Sequence, residues 1–229
     1  MRRVFSAAAC LFLIALLTAC GSRPQSPDVP PIQPDGGTEQ AGSQLPVPQE
    51  EDAEPEPGPE PEGTRILVAY FSATGTTKAL AESTAEVTGA DLYEIIPEQP
   101  YTAEDLDYGD AGSRTSQEQN EESARPGISG GVENMEQYDI IFLGYPIWWG
   151  EAPRIVATFV ESYDWAGKTV VPFCTSGSSG IGSSATNLAA ASTGAEWRPG
   201  NRFSGSASQD TVTDWVNGLD INRSENPNG

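Results

Sequence analysis

From residue 64 onward, short apolar runs alternate with longer amphipathic segments, and this alternation constrains the fold more than any other feature of the chain. The run at residues 65–71 (RILVAYF) is almost uniformly apolar, which is typical of a central strand covered by helices on both faces. A helix is predicted over residues 76–88, and Gly89 follows it as a left-handed cap. Further strands are predicted over residues 91–96, 138–145 and 169–174, with a short one inside residues 195–203. The fold class is therefore α/β, a doubly wound sheet of five parallel strands with helices on both faces.

Three more helices and one irregular connection complete the predicted pattern. The helices are residues 153–162, residues 183–192 with Gly194 as the cap, and a last one from Ser206 or Ser208 to about Leu219. Residues 97–135 form a long polar stretch, in which only a partial helix at residues 117–124 is predicted. Long loops inside compact domains are often functional. The stretch is therefore predicted either to shape a substrate site or to be an acidic surface crossover that covers one face of the sheet.

Residues 1–63 are predicted to lie outside this domain, which spans residues 64–229. Arg2 and Arg3 precede an apolar stretch that is long enough for a signal peptide and short for a membrane span. The sequence Leu-Thr-Ala-Cys that follows ends at Cys20 and resembles the lipobox of bacterial lipoproteins. That resemblance implies a signal peptide over residues 1–19, lipidation of Cys20 with fatty acids such as palmitate, and a membrane anchor on the extracytoplasmic face. An uncleaved N-terminal membrane helix is the alternative.

Residues 20–63 are predicted to be a disordered tether. They hold more than half of the 19 prolines and ten of the 33 acidic side chains, and they have almost no large apolar side chains. Much of the acidity of the chain therefore belongs to the tether and not to the fold. Nucleic acid is an unfavourable partner for such a chain, because its phosphates carry the same charge.

The composition removes several kinds of catalytic site. The chain has no histidine, which excludes Ser-His-Asp and Cys-His nucleophilic sites and every metal or haem site that needs an imidazole ligand. Of the three cysteines, Cys10 lies in the leader and Cys20 ends it, so Cys174 is alone in the domain. Neither a disulfide framework nor an iron–sulfur cluster can form within the mature chain, and Cys174 is predicted to be an inert strand residue.

Three polar loops follow the predicted first, third and fourth strands. The first loop (residues 72–77) leads directly into a helix, whose free N–H groups and positive dipole end favour an anion. The second loop (residues 146–150) has adjacent tryptophans, of which one can stack on a flat ring while the other belongs to the core. The third loop (residues 175–183) is rich in glycine and hydroxyls, which lets backbone N–H groups approach a ring edge. Because the carboxyl ends of parallel strands share one rim, the three loops are expected to meet there.

These loops carry a resemblance to a known family. The first, S-A-T-G-T-T, resembles the phosphate loop of flavodoxins, S/T-x-T-G-x-T, and lacks the lysine of a nucleoside-triphosphatase P-loop. The second, Y-P-I-W-W-G, resembles that of short-chain flavodoxin-like proteins of anaerobic bacteria, and the resemblance covers residues 65–219. It implies strand order 2-1-3-4-5 and bound FMN, with neither a catalytic side chain nor a metal. The cofactor-binding residues that it implies are Ser72, Ala73, Thr74, Gly75, Thr76, Thr77, Pro146, Ile147, Trp148, Trp149, Gly150, Thr175, Ser176, Gly177, Ser179, Gly180 and Gly182.

Three functions remain open. The first is an electron carrier that exchanges electrons with redox partner proteins, or with a small acceptor, at the membrane surface. The second is an FMN-dependent NAD(P)H:quinone oxidoreductase, because the W-W-G-x-x-P pattern completed by Pro153 also resembles loops of flavin reductases. The third is a surface binding domain that has lost the cofactor. If FMN is bound, a negative protein and a stacked, low-dielectric site disfavour negative charge on the reduced ring, so a low second reduction potential is expected.

Overall fold

The computed structural model describes residues 63–219 and residue 221. The predicted signal peptide, the lipidation site at Cys20 and all but the last residue of the predicted tether lie outside the described residues. Within the described part, no helix is both long enough and apolar enough to cross a membrane.

Strands and helices alternate along most of the described chain. The strands are β1 (Ile66–Tyr70), β2 (Asp91–Glu94), β3 (Ile96–Pro97), β4 (Ile128–Ser129), β5 (Ile140–Pro146), β6 (Thr169–Thr175), β7 (Glu196–Trp197) and β8 (Asn201–Phe203). The helices are α1 (Thr76–Thr88), α2 (Arg114–Asn120), α3 (Arg154–Glu161), α4 (Ser184–Ala190) and α5 (Gln209–Asn217), with a short 3-10 helix at Met135–Gln137. Strands β2, β1, β5 and β6 lie side by side in that order, and β7 and β8 both pair with the outer edge of β6. All of these pairs are parallel, which confirms the predicted α/β fold and its strand order.

The two faces of the sheet form two separate core layers. Val68 packs with Leu80 of α1 and Val212 of α5 on one face. Leu67, its neighbour in β1, points to the opposite face and packs with Ile155 of α3. Because the central strands are covered on both faces, their sequences are apolar throughout rather than alternating.

The outer edge of the sheet differs from the single strand predicted inside residues 195–203. Strand β7 pairs with the start of β6 and β8 with its end, and residues 198–200 between them leave the ladder. Gly200 lies in this break, where a Cβ atom would stand 2.8 Å from the carbonyl oxygen of Pro172. The chain thus passes very close to β6, and β8 places Arg202 beside the end of that strand.

The polar stretch between β2 and β5 also differs from the prediction. The predicted strand over residues 91–96 is divided between β2 and β3, and β3 pairs antiparallel with β4. Residues 98–127, which join β3 to β4, are termed the connecting segment. Its helix α2 begins three residues earlier than predicted, because the Ser113 hydroxyl accepts a hydrogen bond from the N–H of Ser116. The helix ends at Asn120, since the backbone of Glu121 is extended.

Two helix ends are corrected as well. Helix α4 ends at Ala190 with Ala191 as its cap, whereas Gly194, which was expected there, lies in the following turn with a φ of 89°. The cap of α5 is Ser208 rather than Ser206, since its hydroxyl accepts a hydrogen bond from the N–H of Thr211.

Candidate functional site

The loops after β1, β5 and β6 meet at the carboxyl ends of these parallel strands and surround a cleft of about 400 Å³. The residues that line it are Ala73, Thr74, Thr76, Thr77, Leu106, Tyr108, Pro146, Ile147, Trp148, Thr175, Ser176, Gly177 and Gly205. Ten of them belong to the set predicted to bind a cofactor, so the structure brings all three loops to one site. The predicted residues that do not line the cleft are Ser72, Gly75, Trp149, Gly150, Ser179, Gly180 and Gly182.

The first loop has the backbone of an anion site. Gly75 is the N-cap of α1 and has a left-handed backbone with a φ of 85°, which glycine adopts without steric strain. The N–H groups of Thr76 and Thr77 belong to the first turn, where no partner exists within the helix. Gly75 therefore acts by turning the chain, and the first turn of α1, with Thr76 and Thr77, lines the cleft at the positive end of the helix.

Some hydroxyl groups of the first loop are exposed and one is buried. Those of Thr74 and Thr76 lie 3.4 Å apart at the exposed start of α1. The Oγ of Ser72 is buried and has no hydrogen-bond partner among the described residues. Since buried polar groups are normally paired, this orphaned hydroxyl favours a polar ligand at the first loop.

The two tryptophans of the second loop have different environments. Trp148 is 3% exposed and packs edge-on against Phe71 and Tyr101, although the residue is among those that line the cleft. Its carbonyl oxygen accepts a hydrogen bond from Nε2 of Gln119 at 2.8 Å. Trp149 is 46% exposed, and its backbone is left-handed with a φ of 49°. Trp148 is therefore the core tryptophan, an assignment that the sequence left open, and the Trp149 ring is accessible at the rim.

The connecting segment adds an aromatic side chain that the sequence analysis missed. Tyr108 lines the cleft, and its ring centroid lies 4.6 Å from that of Trp149. Burial raises the pKa of Tyr108, so its hydroxyl stays protonated at neutral pH. Leu106 and, beyond this segment, Gly205 also line the cleft without having been predicted. The only sequence signal for Tyr108 and Leu106 was the unusual length of the polar stretch that carries them.

Two charged side chains brace the third loop. Arg202 of β8 donates from Nη2 to the carbonyl oxygens of Ser176 and Gly177, at 2.6 and 2.7 Å. Glu151 accepts hydrogen bonds from the Ser183 hydroxyl at 2.6 Å and from the Asn187 amide at 2.9 Å, which ties the second loop to α4. Neither Arg202 nor Glu151 belongs to a sequence motif, so only their contacts reveal these roles.

The wall of the cleft is uncharged. None of the described residues that line it is Asp, Glu, Lys or Arg. Cys174 is buried in β6, and its burial raises the pKa of the thiol to about 12, in keeping with an inert strand residue. Among the described residues, no group of Cys, Asp and Glu side chains is placed to hold a metal ion. Such a wall suits a flat apolar ligand whose anionic end reaches the start of α1.

Comparison with known proteins agrees with this fold. A family model described as Flavodoxin matches residues 65–219. A structure designated a flavoprotein from Bacteroides eggerthii is 46% identical with a TM-score of 0.65, and the match covers 69% of this chain and 98% of that one. A second such structure, from Bacteroides uniformis, is also 46% identical with a TM-score of 0.65, and the match covers 68% of this chain and 99% of that one. A flavoprotein from Lactobacillus acidophilus, solved in complex with FMN, is 22% identical with a TM-score of 0.50. The match covers 67% of this chain and 99% of that one. The search of curated proteins gave no match.

These relatives also define a folding unit. The matching part makes up almost the whole of both Bacteroides chains. We therefore expect the corresponding part of this chain to fold without the first 62 residues, as a separate domain. The likeness to the Lactobacillus protein, at 22% identity, concerns the fold.

Proposed function

Because the chain belongs to the flavodoxin family, we propose that its domain binds FMN in the cleft and carries electrons at a membrane surface. The observation that carries this proposal is that an anion site at the start of α1 and an uncharged, partly aromatic wall belong to one cleft. The cleft lies beside β1 and β5, where the strand order reverses. This is the known position of FMN in flavodoxins, and we adopt it from them.

The residues present fit the two ends of FMN. The N–H groups of Thr76 and Thr77 and the orphaned hydroxyl of Ser72 suit a phosphate, which accepts several hydrogen bonds. Tyr108 offers an aromatic ring, and Pro146 and Ile147 offer apolar surface, for a flat ring system. The FMN in the Lactobacillus relative supports the choice of this flavin.

Bound FMN supplies the redox chemistry, since its ring accepts and releases one or two electrons. The residues of this chain bind the cofactor, exclude water from its enclosed part and set the charge around it. The proposed role needs no proton transfer by a side chain, in keeping with a lining that has no Asp, Glu, Lys or Arg among the described residues.

The size of the cleft suits a single cofactor. About 400 Å³ is near the lower end of the range for ligand sites, so one ligand of the size of FMN occupies most of it. A redox partner would then meet the cofactor at the rim, beside the exposed Tyr108 and Trp149. The NAD(P)H:quinone oxidoreductase is the competing function, and the cofactor-free binding domain is the lesser alternative.

The first test uses the domain, residues 63–229, mixed with FMN and then desalted. We expect the visible flavin spectrum to remain with the protein, two well-separated one-electron potentials during stepwise anaerobic reduction, and slow oxidation of NAD(P)H. Rapid turnover of NAD(P)H with a quinone or an azo dye would instead establish the reductase. A folded domain that retains no flavin would contradict FMN binding and favour the cofactor-free alternative.

We further propose that lipidation of Cys20 anchors the chain on the extracytoplasmic face of the membrane. The support is the lipobox-like sequence that ends at Cys20, because more than one acyl chain gives stable anchoring. Labelled palmitate is expected to enter the full chain and to be lost in Cys20→Ala. Cys10→Ala, which alters the other cysteine of the leader, is the matched control and is expected to keep the label. Labelling that survives Cys20→Ala would exclude this anchor.

A further inference from the structure

Arg202 contacts the backbone of the third loop through two hydrogen bonds. Its Nη2 atom donates to the carbonyl oxygens of Ser176 and Gly177, two residues that line the cleft, while Arg202 itself does not line it. No carboxylate of the described residues lies within 4.0 Å of its guanidinium group, whereas five other cations of the described chain have such a partner. Its positive charge is therefore directed to the loop rather than to an acidic side chain.

The two hydrogen bonds determine where the loop points its N–H groups. In a planar trans peptide, the carbonyl and the N–H of the next residue point in opposite directions. Since the oxygens of Ser176 and Gly177 face Arg202, the N–H groups of Gly177 and Ser178 face away from it. Neither N–H has a hydrogen-bond partner among the described residues. Two adjacent free donors thus lie on the side of the loop opposite to Arg202.

Buried polar atoms without a partner also occur at the loops that surround the cleft. Four buried side-chain polar atoms of the described residues lack a partner. Three of them belong to residues that form or brace the cleft loops, namely Ser72 in the first loop, Gln119 behind the second and Arg202 behind the third. Unpaired buried groups are uncommon, so their concentration at these loops shows that polar groups there are not all satisfied within the described residues, although none of the three residues lines the cleft.

We propose that Arg202 is a positioning residue that holds the N–H groups of Gly177 and Ser178 toward the cleft and favours negative charge on the ring bound there. This inference rests on the proposed function and specifies its electrostatics. Reduction adds electrons to the flavin ring, and two N–H donors backed by a cation stabilise the added charge more than they stabilise the neutral oxidised ring. Arg202 therefore opposes the effect of the acidic chain, which by itself lowers the second reduction potential.

The test compares Arg202→Met, which removes both charge and donors, with Arg202→Lys, which keeps the charge. In Arg202→Met we expect the affinity for two-electron-reduced FMN to fall about tenfold more than that for one-electron-reduced FMN, which equals a decrease of about 59 mV in the second reduction potential. Arg202→Lys is expected to restore at least half of this shift. Both potentials are measured by anaerobic titration of the domain (residues 63–229) with dithionite, which supplies two electrons per flavin.

Arg198→Met is the matched control, because it removes the same charge from the same edge of the sheet but takes it from an exposed pair with Glu196. It is expected to shift the potential by less than a fifth of the change in Arg202→Met. Equal shifts in these two variants would overturn the inference, since they would reflect net charge alone. Unchanged potentials in Arg202→Met would also overturn the inference, and so would a decrease of the second potential in Arg202→Lys as large as that in Arg202→Met. If Arg202→Met fails to fold, a decrease of about 59 mV in Arg202→Lys overturns the inference by itself.

A second measurement is independent of bound flavin. In the flavin-free domain, the NMR order parameter of the Gly177 amide is expected to fall from about 0.85 toward 0.6 in Arg202→Met. An unchanged value would contradict the positioning role. If the unaltered domain retains no FMN, then the proposed function fails and the electrostatic part of the inference fails with it, while the order parameter still decides the positioning part.

Discussion

The hydroxyl oxygens of Thr77 and Thr175 lie 2.8 Å apart, and both side chains are buried. Thr77 belongs to the first turn of α1, and Thr175 ends β6. This hydrogen bond therefore joins the anion site to the strand that carries the third loop. The two residues are 98 positions apart in the sequence, so only the fold brings them together.

Breaking this pair is expected to destabilise the domain. Thr77→Val leaves the Thr175 hydroxyl buried without a partner, which costs about 1–3 kcal/mol of unfolding free energy. The double variant Thr77→Val/Thr175→Val removes both hydroxyls and is expected to recover part of that loss. Urea denaturation of the four proteins gives the coupling energy. Strictly additive losses would show that the contact contributes nothing.

Gly75 and Gly89 provide a matched test of the phosphate loop. Both have left-handed backbones, with φ of 85° and 67° at opposite ends of α1, and both have room for a Cβ atom. Each alanine substitution is expected to lower the unfolding free energy by about 1–2 kcal/mol, because alanine is strained in this backbone conformation. Only Gly75→Ala is expected to weaken FMN binding, by about tenfold or more, because it misdirects the N–H groups that we propose to bind the phosphate. Fluorescence titration would refute this role if both variants lost affinity equally.

Alanine substitution of the two neighbouring tryptophans is expected to destabilise the domain to very different extents. Trp148→Ala leaves a cavity in the core and should lower the unfolding free energy, measured by chemical denaturation, by about 3–5 kcal/mol. Trp149→Ala should cost less than about 1 kcal/mol, because the ring is half exposed. Trp149→Gly should be the more stable of the two Trp149 variants, since glycine relieves the left-handed backbone at φ 49°. Similar losses for Trp148→Ala and Trp149→Ala would contradict the assignment of Trp148 to the core.

Tyr108 is expected to contribute its ring rather than its hydroxyl to cofactor binding. Tyr108→Ala should weaken FMN binding by about 2–10-fold, the range expected for loss of one aromatic contact. Tyr108→Phe keeps the ring and should bind within about twofold of the unaltered domain. Isothermal titration of the three proteins separates these cases. An equal loss in both variants would assign the effect to the hydroxyl.

Cys174 is expected to be unreactive while the domain is folded. Its side chain is fully buried, and that burial raises the pKa of the thiol to about 12, so very little thiolate exists at pH 8. A thiol reagent should therefore modify the domain (residues 63–229) only at the rate at which it unfolds. Reaction at the rate of a small free thiol would contradict this burial.

The same pKa shift predicts a dependence of stability on pH. Above about pH 8.5, Cys174 of the unfolded chain loses its proton, whereas the folded chain keeps it up to about pH 12. The unfolded state then binds fewer protons, so stability falls as pH rises, by up to about 1.4 kcal/mol per pH unit from this group. Cys174→Ala should show a shallower decline between pH 8.5 and 10. Parallel curves for the two proteins would rule the contribution out.

The sequence predicted the elements that depend on neighbouring residues. The apolar run of β1, the helix at Thr76–Thr88 and its cap at Gly89 are local features, and the structure confirms them within one residue. The prediction was weakest in the connecting segment, whose polar composition has no period that locates a helix. There the start of α2 depends on a single capping hydroxyl, that of Ser113.

Contiguous residues predicted the fold class, the three polar loops and a candidate anion site at Gly75, because apolar periodicity and turn chemistry are local properties of the chain. The packing of the elements was needed to see that Trp148 is core, that Tyr108 joins the cleft and that Arg202 braces the third loop. Key contacts of the site join residues 25 to 98 positions apart. Such contacts depend on how the elements pack in three dimensions, and packing leaves no local pattern in the chain.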